Sequence, residues 1–176
     1  GLLLCDVSSS DGSARQLSMV WDPVTNGDSP RMDPKLSPDA ELVAFVQDGD
    51  IRCRHIKSKA DAQLTFEHSS NPNKWAGESK FNIQEEFDRF TAYWFSPVVV
   101  TPSPSSQATG DATAAVKFYD VLYLVEDESK VHQFTIASGI QGTSDVYRYP
   151  LVGTPNTSVD VGVLRFGVTE AGVVSV

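Results

Sequence analysis

Basic residues are scarce in this sequence of 176 residues, which has 14 lysines and arginines against 23 aspartates and glutamates. The formal net charge of −9 argues against a protein that binds nucleic acid or an anionic membrane, because both surfaces select basic proteins. An acidic surface would instead attract cationic ligands, among them the free amino termini of peptides. The composition permits such a ligand but does not identify one.

Cysteine is scarce as well, since Cys5 and Cys53 are the only two. They could form one disulfide bond, which sequence cannot decide, but nothing indicates a disulfide framework. We expect two reduced thiols in a cytoplasmic protein. No apolar run reaches the ~20 residues of a membrane span. Residues 1–5 have neither the basic leader nor the cleavage-type end of a signal peptide, and they read as a strand entered part-way.

Motifs for catalysis and for metal binding are also missing from the sequence. His55, His68 and His132 stand alone, so none has the spacing of metal ligands, and no glycine-rich phosphate loop occurs. Residues 142–146 begin like the G-x-S-x-G turn of a serine hydrolase, but Val146 stands where the second glycine is needed. We therefore expect no metal, no cofactor and no catalytic residue in this chain.

What the sequence does contain is a series of short strand-like segments separated by turn signals. Residues 42–46 are an apolar run, Asp48 and Gly49 favour a tight hairpin turn, and residues 51–56 return with alternating character. A Ser-Pro pair precedes this unit at Ser37, and another occurs at Ser96. The order Ser-Pro, strand, tight turn, strand is typical of a blade of a β-propeller.

These patterns predict an all-β protein, a partial β-propeller of about two blades with flanking strands. The blade-like units cover about residues 35–66 and 91–136, and an insertion loop rich in Pro, Ser and Thr covers about 98–115. In the second unit we expect a strand at 117–126, a turn at 127–130 and a returning strand at 131–136, and the alternating residues 159–168 predict a further strand. The interval from Ser37 to Ser96 exceeds the ~40–45 residues of a simple blade, so the chain must make an excursion between them. Because a complete propeller has ~4–8 blades, we expect residues 1–176 to be a fragment of one propeller domain.

One short helix around residues 82–90 accounts for the excursion. Asn82, with Glu85 three positions later, resembles a capping box at a helix start. Apolar residues then recur at the spacing of one helix face over about three turns: Ile83, Phe87, Phe90 and Trp94. Packing of that face would hold two adjacent acidic residues, Glu85 and Glu86, near the beginning of the helix. We call Glu85 and Glu86 the glutamate pair.

The glutamate pair has two interpretations. The first is a solvated helix start, where the helix dipole favours negative charge and Arg89 offsets it from one turn further along. The second is an amine-binding site. The free N-terminus of a peptide is an ammonium with three donors, and two converging carboxylates match its charge and its hydrogen bonds. Spacing alone favours the first interpretation.

Residues 83–97 resemble the double-glutamate helix of the dipeptidyl peptidase IV family, most closely its dipeptidyl peptidase 8 and 9 branch. Three further segments agree with the family in order and spacing: residues 29–36 (SPRMDPKL), 122–131 (LYLVEDESKV) and 147–156 (YRYPLVGTPN). The similarity spans roughly residues 29–166. Four ordered segments are far more specific than a lone pair of glutamates, so the amine-binding interpretation becomes the favoured one.

The resemblance implies a substrate-gating β-propeller portion of a serine-type dipeptidyl peptidase. In the family, hydrolysis belongs to a separate α/β-hydrolase domain with a Ser-Asp-His site, which this chain lacks. Glu85 and Glu86 would bind the amine of a peptide substrate, so the parent enzyme would release N-terminal dipeptides, typically X-Pro or X-Ala. Asp88 and Arg89 also match the family's helix, and the resemblance implies that they orient the glutamates. Tyr93 is a further supporting residue, which either packs behind the site or contacts it.

The resemblance also implies the partners of the chain. They are a peptide with a free N-terminus, the remainder of the propeller and the hydrolase domain of the same polypeptide, and a second copy in a homodimer. Two other functions stay open. One is a non-catalytic propeller that serves as a protein-interaction module, and the other is an unrelated acidic β-domain that is similar by chance. A G-x-S-x-G motif further along the open reading frame would favour the peptidase over the interaction module.

Overall fold

The computed structural model describes residues 2–5, 17–21, 29–101, 116–137, 139, 142–172 and 174–176. In these ranges the helices are α1 (Glu67–Ser70) and α2 (Phe81–Phe87). The strands are β1 (Leu2–Cys5), β2 (Leu17–Trp21), β3 (Met32–Leu36), β4 (Leu42–Gln47), β5 (Asp50–His55), β6 (Asp61–Gln63), β7 (Lys74–Ala76), β8 (Tyr93–Phe95), β9 (Val116–Asp127), β10 (Gln133–Ala137), β11 (Ser144–Arg148), β12 (Ser158–Thr169) and β13 (Val174–Ser175). The loops predicted before residue 29 and most of the predicted insertion at 98–115 lie outside the described residues.

The first large sheet is an antiparallel meander in the order β3-β4-β5-β6. Asp48 and Gly49 form the turn between β4 and β5 with φ of 53° and 73°, which confirms the predicted hairpin. Along β5 the side chains alternate, with Ile51, Cys53 and His55 buried. Cys53 is a free thiol in the described part of the chain, and burial raises its pKa to about 12.

The second large sheet has the order β13-β12-β9-β7, and β8 also pairs with β9. Strands β9 and β12 pair over their full length, from Val116 opposite Thr169 to Asp127 opposite Ser158. The prediction that residues 131–136 return beside β9 is therefore wrong. β12 occupies one edge of β9, while β7 and β8 occupy the other, so β10 pairs with β11 instead.

The two large sheets share one hydrophobic core. The first sheet and the residues that follow it contribute Leu42, Ala44, Val46, Ile51, Cys53 and Leu64, and the second sheet contributes Tyr93, Tyr119, Val121, Phe166 and Val168. The aromatic rings of Tyr119 and Phe95 meet edge to face, and the Tyr119 ring stacks on Phe166 at 5.5 Å between centroids. Sheet packing of this kind is what neighbouring propeller blades require, although the division into units at 35–66 and 91–136 remains a prediction.

A second contact joins the sheets at their polar rim. Asp39, just after the first Ser-Pro pair, accepts hydrogen bonds from the Ser37 hydroxyl at 2.8 Å and from the Tyr119 hydroxyl at 2.9 Å. Lys117 also donates to Asp39, at 3.1 Å. Although burial opposes it, these bonds hold the pKa of Asp39 below its usual range. In the described part of the chain, neither helix is long enough to cross a membrane.

Candidate functional site

An excursion from the second sheet carries the glutamate pair. The chain leaves β7 at Gly77, forms α2 and returns to β8, and we call residues 77–92 the α2 excursion. Its two ends are joined by a β-bridge between Glu78 and Thr91. The Ser79 hydroxyl also donates to the Thr91 carbonyl at 3.2 Å. These contacts close the excursion at its base.

The excursion begins at a glycine that the backbone requires. Gly77 has φ of +74°, and its N–H donates to the Leu124 carbonyl on β9 at 2.9 Å. A Cβ placed on Gly77 would lie 2.6 Å from Cγ1 of Ile51 in the core. Both the left-handed conformation and the close approach of Ile51 exclude a side chain here.

We expect Gly77→Ala to lower the free energy of unfolding by about 2–3 kcal/mol, from left-handed strain together with overpacking. Gly153→Ala is the matched control, because Gly153 has φ of +82° but nothing within 4 Å of the added Cβ. The control should lose only about 1 kcal/mol, from the strain alone. Urea unfolding of both variants measures the difference, and equal losses would show that the Ile51 contact does not constrain Gly77.

The return of the excursion is anchored in the core by Tyr93. Its side chain is fully buried, and its hydroxyl donates to the Ala44 carbonyl at 3.0 Å and to the carbonyl of Asp33. Lys35 lies with its ammonium 3.8 Å from the centre of the Tyr93 ring. The Asp33 carboxylate also accepts hydrogen bonds from Lys35 and from the Thr91 hydroxyl. Tyr93 therefore fixes the strand behind the glutamate pair and lies in the core.

Burial changes the acid–base properties of this anchor. It raises the pKa of Tyr93 well above the usual value for a phenol, and the Asp33 carboxylate adds to the effect. Burial also lowers the pKa of Lys35, although the bond to Asp33 opposes that shift. At neutral pH the Tyr93 hydroxyl stays protonated, so it remains a hydrogen-bond donor.

Helix α2 is shorter than the sequence predicts. Its N-cap is Lys80 rather than Asn82, and it ends at Phe87. Asp88 adopts the left-handed conformation with φ of 48°, and its N–H donates to the Ile83 carbonyl. The structure thus gives Asp88 the role of ending the helix.

The predicted apolar face of this helix is wrong. Phe87 and Phe90 are 72% and 64% exposed, and Trp94 lies on strand β8. The prediction placed the helix around residues 82–90 and extended its apolar spacing to Trp94, but the left-handed Asp88 breaks that spacing after Phe87. In place of that face, the base contacts described above hold the excursion.

Arg89 also differs from the prediction, because it follows the helix instead of continuing it. Among the described residues, no ion pair joins Arg89 to Glu85 or Glu86. Its guanidinium carbon lies 5.9 Å from the centre of the Trp94 ring. Its Nε is buried with no hydrogen-bond partner in the described part of the structure. The charge of the glutamate pair is therefore not offset by Arg89 at helical spacing.

The glutamate pair lines a cavity of about 400 Å³. Glu85 and Glu86 are both exposed, so their carboxylates can reach a ligand without unfolding. Helix α2 forms one side, and the segments that follow β11 and precede β12 form the other. The remaining lining residues are Ile83, Phe87, Tyr149, Pro150, Asn156 and Thr157. Two carboxylates beside apolar and aromatic walls suit a cation that carries an organic side chain.

One supporting residue escapes sequence reasoning. Glu126 on β9 is 1% exposed, and both of its carboxylate oxygens lie 3.2 Å from the backbone nitrogen of Lys80. Burial raises the pKa of Glu126, while the Lys80 N–H lowers it. The sequence places Glu126 at the end of a predicted strand, directly before the acidic turn that begins at Asp127, and assigns it no role. Its bonds to Lys80 show that its side chain lies under the start of α2.

Comparison with known proteins identifies the family of this chain. The family model for the dipeptidyl peptidase IV N-terminal region matches residues 2–174. Dipeptidyl peptidase 8 of Homo sapiens is 36% identical over 137 residues, which are 73% of this chain and 14% of that protein. Dipeptidyl peptidase 8 of Mus musculus is 33% identical over 151 residues, which are 81% of this chain and 16% of that protein.

Two more distant proteins are also similar to this chain. Dipeptidyl aminopeptidase B of Saccharomyces cerevisiae is 29% identical over 134 residues, covering 72% of this chain and 14% of that protein. The crystal structure of Porphyromonas gingivalis dipeptidyl peptidase 4 superposes with a TM-score of 0.53 at 19% identity, over 88% of this chain and 18% of that one. This last similarity concerns the fold alone, and it confirms the predicted all-β partial propeller.

The chain thus spans about 14–16% of the length of its relatives from Homo sapiens, Mus musculus and Saccharomyces cerevisiae. The family match, in contrast, covers nearly the whole chain. The ordered segments that suggested the resemblance lie within the matched range, as does the α2 excursion. On these grounds the chain belongs to the dipeptidyl peptidase IV family and corresponds to part of its N-terminal region.

Proposed function

We propose that this chain is the part of a dipeptidyl peptidase that binds the amino terminus of the substrate. The observation that carries the proposal is the position of Glu85 and Glu86, which both line the cavity between α2 and the segment at 149–157. Their carboxylates have no ion-pair partner among the described residues, so both can form charge-assisted hydrogen bonds with the ammonium group of a ligand. The names of the relatives, dipeptidyl peptidases and a dipeptidyl aminopeptidase, support a free amine as the ligand.

Binding the amine would decide where the peptide is cut. Two extended residues span about 7 Å, so a serine nucleophile held at that distance from the glutamate pair would attack the bond after the second residue. Holding the amine raises the effective concentration of that bond at the nucleophile. A peptide without the amine would leave the carboxylates unpaired in the cavity, and the enzyme would discriminate against it.

The remaining expectations belong to the full-length protein. The proposed partners are the peptide, the remainder of the propeller and an α/β-hydrolase domain that supplies the Ser-Asp-His site, with a homodimer as the proposed assembly. The preference for X-Pro or X-Ala would arise in the hydrolase domain. We propose a cytoplasmic location, which the free, buried thiol of Cys53 supports.

The competing function is a non-catalytic propeller that binds other proteins. The two proposals differ in whether the full-length protein hydrolyses peptides, and an amine-binding site further requires that the peptide has a free amine. We expect it to hydrolyse Ala-Pro-p-nitroanilide at least about a hundredfold faster, as kcat/KM, than propionyl-Pro-p-nitroanilide, which differs only in lacking the amine. Absence of hydrolysis of either compound would support the interaction module. Equal hydrolysis of both compounds would contradict an amine-binding site.

A further inference from the structure

A buried carboxylate lies under the beginning of α2 and binds the backbone there. The first N–H groups of any helix have no partner within the helix. In α2, no side-chain hydrogen bond from the N-cap residue Lys80 supplies one. Glu126 approaches from the neighbouring strand β9, with both oxygens 3.2 Å from the Lys80 nitrogen. Because burying a carboxylate is costly, its position needs a reason.

The bond from Lys80 differs in position from the other bonds of the excursion. The Gly77 N–H also donates to β9, at the Leu124 carbonyl, but it does so at the base of the excursion and not at the start of α2. The Glu78–Thr91 bridge and the Ser79–Thr91 hydrogen bond join the two ends of the excursion to each other. The bond to Glu126 joins the start of the helix to the second sheet. It therefore fixes the direction in which α2 leaves that sheet.

That direction matters for the glutamate pair. Glu85 lies five residues beyond Lys80, which corresponds to about 7.5 Å along a helix. A tilt of about 10° at Lys80 would move the carboxylate by about 1 Å, and a displacement of that size can cost a reaction up to a hundredfold. At the far end of α2, Phe87 and the following Phe90 are exposed, so packing there would not resist such a tilt, and the contacts at Lys80 must do so. Besides the bond to Glu126, the Lys80 ammonium lies 3.1 Å from the centre of the Trp75 ring on β7.

We propose that Glu126 is a positioning residue that fixes α2 and, through it, the glutamate pair. Glu126 does not line the cavity, so it would act only by holding the helix. The inference rests on the proposed function, since a position matters only if Glu85 and Glu86 bind the substrate.

The proposed role of Glu126 depends on its hydrogen bond to the Lys80 N–H and not on its charge. Lys80 and Arg89 favour its ionised form and Glu128 opposes it, while burial is the largest influence and raises the pKa of Glu126. A carboxyl oxygen accepts a backbone N–H whether or not the group is ionised. The proposal therefore predicts that an uncharged acceptor of the same shape, glutamine, will substitute for Glu126.

The test compares kcat/KM for Ala-Pro-p-nitroanilide and propionyl-Pro-p-nitroanilide in the full-length protein. Their ratio measures how much the enzyme gains from the amine, and a general loss of folded protein does not change it. We expect Glu126→Leu to lower the ratio at least about tenfold. Glu126→Gln should keep it within about threefold of the wild-type value, because the acceptor remains. The matched control is Asp127→Asn, since Asp127 accepts from the Ser129 N–H in a turn instead.

Glu85→Gln separates the failure of this inference from the failure of the proposed function. If Glu85→Gln lowers the ratio and Glu126→Leu does not, Glu126 is not a positioning residue. If neither variant lowers it, the amine-binding function itself is wrong. If Glu126→Gln is as impaired as Glu126→Leu, the charge of Glu126 acts directly and the hydrogen-bond account is overturned.

A measurement on the wild-type protein covers the case in which Glu126→Leu does not fold. The Lys80 amide should exchange its hydrogen at least about a hundredfold more slowly than a solvated amide, because its N–H is bound to a buried group. Hydrogen exchange with mass spectrometry of peptides around residue 80 measures this rate. Exchange of the Lys80 amide at the solvated rate would contradict the proposal.

Discussion

Replacement of either member of the glutamate pair by glutamine is expected to lower kcat/KM for Ala-Pro-p-nitroanilide at least about a hundredfold, or about 2.7 kcal/mol of transition-state binding. Glutamine keeps the shape of glutamate but removes its charge, so each variant loses one charge-assisted hydrogen bond to the ammonium. Glu85 and Glu86 are both exposed on α2, so their replacement should leave the protein folded. Steady-state kinetics of Glu85→Gln and Glu86→Gln in the full-length protein measure the effect.

Glu170→Gln is the matched control, because it removes the same charge from an exposed turn that does not line the cavity. Its kcat/KM should equal that of the wild-type protein. Propionyl-Pro-p-nitroanilide gives a second comparison, since its slow hydrolysis should be nearly unchanged in Glu85→Gln. Wild-type kinetics in both variants of the pair would remove the amine-binding proposal.

The second large effect is expected at Asp50, which is 1% exposed at the start of β5. One carboxylate oxygen accepts from the Thr65 hydroxyl at 3.1 Å and the His68 N–H at 3.2 Å. The other accepts from the N–H and hydroxyl of Ser69, at 3.0 Å and 2.6 Å, and from the Gln63 amide at 3.3 Å. Asp50 thus ties α1 and the end of the first sheet to the β4–β5 hairpin.

Asp50→Ala should lower the free energy of unfolding by about 3–5 kcal/mol, because it leaves several buried donors without an acceptor. Asp61→Ala is the control in the same sheet, where an exposed carboxylate pairs with Arg54. That change should cost no more than about 1 kcal/mol. Urea unfolding followed by tryptophan fluorescence compares the two variants. A loss below about 1 kcal/mol for Asp50→Ala would mean that water satisfies the donors, and the network would then not be structural.

Local sequence patterns were sufficient to predict the β4–β5 hairpin and the fold class. A two-residue hairpin turn requires left-handed backbone at both positions. Asp and Gly tolerate that conformation better than most residues, and the turn forms at Asp48 and Gly49 as predicted. Strand β12 was predicted within one residue at each end from its alternating pattern. In both cases the information lies in adjacent residues, so no knowledge of the tertiary structure was needed.

Tertiary contacts explain the errors. The pairing of β9 with β12 joins segments separated by two other strands, and no local signal distinguishes it from a pairing with β10. Helical spacing from Ile83 to Trp94 was real in the sequence, but Asp88 turns left-handed and ends the helix. Aspartate tolerates that conformation without requiring it, so the sequence alone did not reveal the break.

The candidate site, like the fold, could be predicted only in part from the sequence. The glutamate pair was recognisable, because two adjacent acids lie in a segment that resembles a family motif. Glu126 was not, because a single acidic residue near a turn has no signature, and its role depends on the start of α2 lying over β9. The wall at Tyr149 and Pro150 was likewise unpredictable, since more than 60 residues separate it from the helix that it faces.

The most direct test of the account is a crystal structure of the full-length protein with a bound dipeptide such as Ala-Pro. We predict that the amino nitrogen of the dipeptide lies about 2.7–2.9 Å from a carboxylate oxygen of Glu85 and from one of Glu86. A dipeptide whose amine lies elsewhere, with both carboxylates bound only to water, would contradict the account.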